Sequence, residues 1–171
     1  AAGIERLVIS TYQAVSGTGK GAIDELRSQA RAVVGGYDVP APQIYPHQIA
    51  FNVLAQAGSF AAGDDHTDEE RKLINETRKI LGRWAPGASS VEPMALRISA
   101  TCTRVAVQDG HTEVVSVGLG RPASLEEVKD ALRTWEGSPE ARDLPSSAPR
   151  WIEVLEAQDR PQPRLDRDTH G

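Results

Sequence analysis

Two rhythms of apolar residues divide this chain. Residues 7–12, Leu-Val-Ile-Ser-Thr-Tyr, are a short β-branched run, which predicts a buried strand. A turn of small residues, 13–19, follows it. From 22 to 34 the rhythm becomes helical, with Ile23, Leu26, Ala30, Val33 and Val34 on one face, and Gly35-Gly36 predicts the stop. Pro40, Pro42 and Pro46 make 37–48 an extended loop. Residues 49–54 predict another strand, and the small, acidic stretch 58–66 a surface loop. Thr67 with Glu70 three residues later is a capping box. It opens a helix expected to bury Leu73, Ile74, Thr77, Ile80 and Leu81. Residues 82–93 read as an irregular connection.

Residues 98–108 and 111–119 predict a β-hairpin, because Asp109-Gly110 is a favoured two-residue turn. Ser124 with Glu127 is a second capping box, starting a helix that runs to about Trp135. Beyond Gly137 the chain is rich in Pro, Arg and Asp, with 151–155 as one further candidate strand. No internal repeat is visible. This order of elements predicts an α+β fold, with helices packed on one face of a mixed or largely antiparallel sheet. Residues 158–171 close on no apolar element, whereas a final element normally docks on the core, so the domain is expected to continue past them.

Composition narrows the classes. At 171 residues the chain suits one domain with a real core. A hydrophobic share of 39% against 25% charged excludes a disordered segment. A net charge of -5, with basic residues scattered among carboxylates, argues against nucleic acid as a partner. No apolar run approaches the ~20 residues of a membrane span, and the first six residues lack the features of a signal peptide. A single cysteine, Cys102, rules out an internal disulfide and a multi-thiolate zinc site, which fits a cytoplasmic protein. His47, His66, His111 and His170 lack metal-ligand spacing, so no metal is expected.

Three places carry candidate chemistry. Gln13 stands just past a buried strand and before Ser16-Gly17-Thr18-Gly19, where backbone can approach a ligand closely. Spacing alone favours the plainer reading, a tight strand-to-helix turn with a capping polar residue. On the helix after Thr67, Glu69, Lys72, Glu76 and Lys79 form one polar stripe, which pattern alone assigns to a solvated face. In the predicted hairpin, Arg104 and His111 point the same way, about 13 Å apart along the strands. Arginine suits a bidentate grip on a carboxylate and histidine suits proton transfer near neutral pH. A surface charge beside a polar turn would give the same pattern. Cys102 shares that parity, yet its place within an apolar strand reads as structural rather than nucleophilic.

Taken together, RLVISTYQAVSGTGKGAIDEL, YPHQIAFNV, TDEERKLINETRKILG and ISATCTRVAVQDGHTE, in this order across 6–113, resemble the aspartate-semialdehyde dehydrogenase family. The stretch 83–96 fits the pattern less well. The resemblance implies the C-terminal domain fold of glyceraldehyde-phosphate-dehydrogenase-like enzymes, which also serves as a homodimer interface. It implies NADP-dependent reductive dephosphorylation of aspartyl phosphate to aspartate semialdehyde and phosphate, on the way to lysine, threonine and methionine. By that resemblance Gln13 orients the acyl group and His111 is the acid-base residue. Arg104 clamps the substrate carboxylate, Glu69 holds its amino group, and Lys72 binds phosphate. Ser16 and Gly17 lie against the nicotinamide end of the cofactor.

The family's nucleophilic cysteine and its Gly-rich nucleotide-binding region precede the strand that holds Gln13. The expectation is therefore a catalytic and dimerisation domain over 1–171, without the Rossmann domain and without the closing C-terminal elements. Such a chain alone is expected to be inactive. Two alternatives stay open, the related N-acetyl-glutamyl-phosphate reductase and a non-catalytic dimerisation module. Glu69 paired with Lys72 speaks for a free amino group on the substrate and so against the former.

Overall fold

The computed structural model describes residues 3–168 except Pro86, Ala88, Asp143 and Pro149, with only the backbone of Glu140. His170, one of the four histidines considered above, lies outside the described residues. Ile4–Gly118 form one compact unit, and Leu119–Gly171 with the N-terminal residues form a second.

The first unit is built on a four-stranded sheet in the order β2–β5–β1–β6. Strand β1 is Ile4–Gln13, β2 is Val53–Leu54, β5 is Arg97–Val105 and β6 is Thr112–Leu119. β1 and β5 run parallel, with Leu7 opposite Ile98, Ile9 opposite Ala100, Thr11 opposite Cys102 and Gln13 opposite Arg104. Side chains alternate across a sheet, so these eight share one face. All but the half-buried Ile98 are buried. β2 pairs antiparallel with β5 and sets Leu54 opposite Arg104 on that same face.

Both long helices cover this face, as the α+β pattern predicted. Helix α1, Lys20–Gly35, packs Ala22 and Leu26 with Val15, Ile49, Ala50 and Leu54. Its stop at Gly36 is a left-handed residue, φ 69°, where glycine carries no Cβ penalty. Helix α2, Asp68–Ile80, sets Leu73 against Leu7, Ile9 and Leu96. Its capping box is complete, with Thr67 Oγ1 accepting from Glu70 N–H and the Glu70 carboxylate accepting from Thr67 N–H.

Four expectations fail here. The hairpin is absent, because β1 lies between β5 and β6. Local turn preference loses to burial, since the parallel pairing of β1 with β5 hides two apolar half-faces at once. The carbonyls of Val107 and Gln108 then accept from Val15 N–H and Ser16 N–H, 2.9 and 3.0 Å, and dock the connection on the turn after β1. The strand over 49–54 shrinks to β2. The N–H groups of Ile49 and Ala50 go to the Gln29 side chain of α1 and are lost to a ladder. Ile80 and Leu81 are exposed, because the covered stripe of α2 ends near Thr77. Within 82–93, two short strands, β3 (Arg83–Trp84) and β4 (Val91–Glu92), form a small antiparallel ladder.

In the second unit, helix α3 (Leu125–Arg133) carries the second capping box, with both bonds present. Lys129 and Arg133 both reach Glu156. Trp135 and Trp151 meet edge to face at 6.0 Å. Residues 151–155 form no strand. Their neighbourhood is held by this ring contact and by ion pairs, which need no ladder. Short helices α4 (Pro139–Arg142) and α5 (Pro163–Asp166) follow, and Asp166 is buried where Arg160 and the Gln162 N–H both reach its carboxylate.

Candidate functional site

The two parallel strands deliver Gln13 and Arg104 side by side at their C-terminal ends, each less than a tenth exposed. The next residue, Ala14, is fully buried and uses both of its peptide groups. Its carbonyl accepts from Arg104 Nη1 at 2.8 Å, and its N–H donates to His111 Nδ1 at 3.2 Å. One residue, through its two flanking peptide groups, therefore ties the guanidinium and the imidazole into a single arrangement. The order of the strands explains this: β1 ends between β5, which carries Arg104, and β6, which His111 precedes. The hairpin would have kept these residues about 13 Å apart along the strands; the sheet brings both to Ala14.

With Nδ1 accepting a backbone N–H, neutral His111 carries its proton on Nε2. That nitrogen lies beside Gly17, where a Cβ would stand 3.6 Å from Nε2 and 4.0 Å from Arg104 Nη1. Gly17 thus lies at ordinary contact distance from both groups. Arg104 Nε is buried and has no hydrogen-bond partner among the described residues. A buried charge with a free donor is an expensive arrangement that an anion would relieve.

A cavity of about 550 Å³ opens on this floor. Gln13, Gly17, Arg104 and His111 line it, together with Glu69 and Lys72 from the first two turns of α2. The Lys72 ammonium is 3.8 Å from the Glu69 carboxylate, and both are partly exposed, so the pair is worth little by itself and is free to turn to a ligand. The rest of α2's polar stripe, Glu76 and Lys79, is not part of the lining. Ser16 also stays out of it, and its N–H is spent on Gln108.

Besides Thr18, in the turn singled out above, the walls are completed by residues that pattern missed: Ile44, Tyr45, Pro46, Gln56, Gly58 and Ser59. They come from loops without periodicity; the only signals were the prolines and the Tyr-Pro pair. At Gly58, φ is 85° and a Cβ would collide with the Asp68 carboxylate, which accepts from Ser59 N–H at 2.7 Å. Cys102 is fully buried within β5, and burial pushes its thiol pKa up, away from the nucleophilic thiolate.

Among the described residues no helix is long and apolar enough to cross a membrane. The family model for the semialdehyde dehydrogenase dimerisation domain matches residues 1–171. An aspartate-semialdehyde dehydrogenase from Aquifex aeolicus is 41% identical over 80% of this chain and 37% of its own length. The crystal structure of aspartate semialdehyde dehydrogenase II complexed with ASA from Vibrio cholerae superposes with a TM-score of 0.68 at 38% identity, covering 77% of this chain and 36% of that one. A crystal structure of aspartate semialdehyde dehydrogenase with NADP from Candida albicans gives 0.68 at 34% identity, over 96% and 38%. The chain thus spans well under half the length of these relatives.

Proposed function

The chain belongs to the semialdehyde dehydrogenase dimerisation-domain family, and from that footing we propose that it is the substrate-binding and dimerisation half of an NADP-dependent aspartate-semialdehyde dehydrogenase. The observation that carries this reading is the convergence of Gln13, Glu69, Lys72, Arg104 and His111 on one cavity. Their charges match a substrate with a carboxylate, an ammonium and a phosphoryl group.

In this reading Arg104 grips the α-carboxylate, because its guanidinium is buried, anchored through Nη1 and left with an unused Nε–H. Glu69 takes the ammonium. Lys72, a compact charge on a flexible stem, takes the phosphate. Gln13, beside Arg104 in the register, turns the acyl carbonyl. His111 exchanges its proton through Nε2, the nitrogen left free by Ala14, with the acyl oxygen as that oxygen gains and loses charge.

NADP, when bound, supplies or accepts the hydride. Gly17, which lines the cavity with His111, would lie against the nicotinamide, and the neighbouring Ser16 would contribute through its side chain, since its N–H is engaged. The nucleophilic cysteine and the dinucleotide domain belong, in this reading, to other segments of a longer cytoplasmic enzyme. For a homodimer the face of the sheet opposite the helices is available, with Tyr12 43% exposed, and the edge strand β6 adds Val114, Val115 and Val117, exposed on its two alternating faces.

The test measures phosphate-dependent NADP reduction by aspartate semialdehyde. The expected result is silence from the chain alone and turnover when it is joined to a nucleotide-binding half carrying the nucleophile. In the joined enzyme, His111→Ala is expected to lower kcat by about 10²–10⁴, and Arg104→Leu to raise KM by about 10²-fold. Turnover by the chain alone, or full activity in both variants, would overturn the reading. Light scattering checks the dimer.

A further inference from the structure

The wall facing Arg104 comes from the segment Gln43–Ala50, which has three prolines around it and no ladder of its own. Helix α1 holds it from one face. Glu25 and Gln29 are four residues apart and so lie on the same side of the helix. The Glu25 carboxylate accepts from three successive backbone N–H groups, those of Gln43 at 2.5 Å, Ile44 at 2.8 Å and Tyr45 at 3.4 Å. Gln29, fully buried, accepts from Ile49 N–H at 2.9 Å and Ala50 N–H at 3.2 Å. The segment is thus a strap tied down on both sides of Tyr45-Pro46.

Tyr45 is what the strap presents to the site. Its hydroxyl donates to Thr18 Oγ1 at 3.0 Å, and the centre of its ring lies 6.0 Å from Arg104 Cζ. The guanidinium thus has two restraints, the ring that it lies over and the Ala14 carbonyl that Nη1 reaches. At 6.0 Å the attraction between cation and ring is near the outer end of its range. The ring's larger contribution is to occupy volume on that side of a long, flexible arginine, whose Nε is shielded from solvent.

We propose that Tyr45, on a strap fixed to α1 by Glu25 and Gln29, is a positioning residue that holds the Arg104 guanidinium ready for an anionic substrate group. The role in catalysis rests on the proposed function; the restraint on Arg104 does not.

Two measurements separate these. In the 171-residue chain, hydrogen exchange at Arg104 Nε–H is followed by NMR. Tyr45→Leu is expected to speed that exchange about tenfold, as local protection is lost, while Tyr45→Phe, which keeps the ring, leaves it within about twofold. Glu25→Gln, which acts only through the strap, is expected to move it in the same direction by less, and it serves if the leucine variant does not fold. In the joined enzyme, Tyr45→Leu is expected to raise KM for aspartate semialdehyde about fivefold with little change in kcat, and Tyr45→Phe to restore it.

Unchanged exchange in Tyr45→Leu and Glu25→Gln would sink the inference whatever the enzyme does. So would a phenylalanine variant as impaired as the leucine one, since the ring would then not be the restraint. Faster exchange together with an Arg104→Leu enzyme of unchanged KM would leave the restraint standing and reject Arg104 as the substrate clamp.

Discussion

The molecule carries the same four-residue signature twice, in two different surroundings. Thr67 with Glu70 opens α2, and Ser124 with Glu127 opens α3, and in both the side chain and backbone bonds of the capping box are made. The local geometry is alike; the burial is not. Thr67 and Glu70 are 1% and 8% exposed, whereas Ser124 and Glu127 are open to solvent. Glu70 also has a second task. While Oε2 accepts from Thr67 N–H, Oε1 accepts from Cys102 N–H at 3.0 Å, joining the helix start to the middle of β5. A motif specifies where a helix begins; its surroundings decide what the motif is worth.

The largest test of that contrast is Glu70→Ala. It leaves the buried N–H groups of Thr67 and Cys102 without an acceptor, and we expect a loss of about 3 kcal/mol by urea unfolding. Because Glu69 and Lys72 lie within two residues of Glu70 at the start of α2, a weaker grip on phosphate in the joined enzyme is expected as well. A loss comparable to that from removing Glu127 would show that burial adds nothing to the box. Thr67→Ala comes next, at about 2 kcal/mol, the upper part of the range for a cap because its site is dry. Ser124→Ala is expected to be smaller, about 0.5 kcal/mol, read from amide exchange in α3 because that helix lies in a separate unit.

The same distinction marks what was legible in the sequence. Strand β1, both long helices, both capping boxes and the stop at Gly36 follow from neighbours a few residues apart, and they stand where periodicity put them. What failed depended on partners distant in the chain. Asp109-Gly110 is a good hairpin turn, but no local rule shows that β1 will take the place beside β5. Ile49 and Ala50 look like strand residues until Gln29, twenty residues upstream, claims their N–H groups.

The site divides in the same way. Gln13, Arg104, His111, Glu69 and Lys72 were reached through resemblance; spacing left Arg104 and His111 open and assigned Gln13 to a turn and Glu69 and Lys72 to a solvated face. The backbone of Ala14 that joins two of them had no signal in pattern, and the strap bearing Tyr45 had only its prolines. A backbone group has no identity in sequence, and a proline-rich loop has no period.

The smallest expected effect concerns the exposed box and its pH dependence. The Glu127 carboxylate accepts from Ser124 backbone N–H at 2.7 Å, and this bond, with the Ser124 side chain and Arg121 adding to it, holds its pKa below the usual carboxylate range. A carboxylate whose folded pKa is lowered contributes stability that is present above its unfolded value. That contribution is lost as the pH falls through the folded one. Amide exchange at the start of α3 is therefore expected to stay level from neutral pH down to the ordinary carboxylate range, once corrected for intrinsic rates, and to accelerate below it. In Glu127→Gln the acid-dependent part should vanish, because glutamine accepts the same bond without titrating. An equal acid response in both proteins would mean that the helix start answers to other groups, such as Glu126 beside it. The exposed box would then be a marker of where α3 begins and would contribute little to holding it.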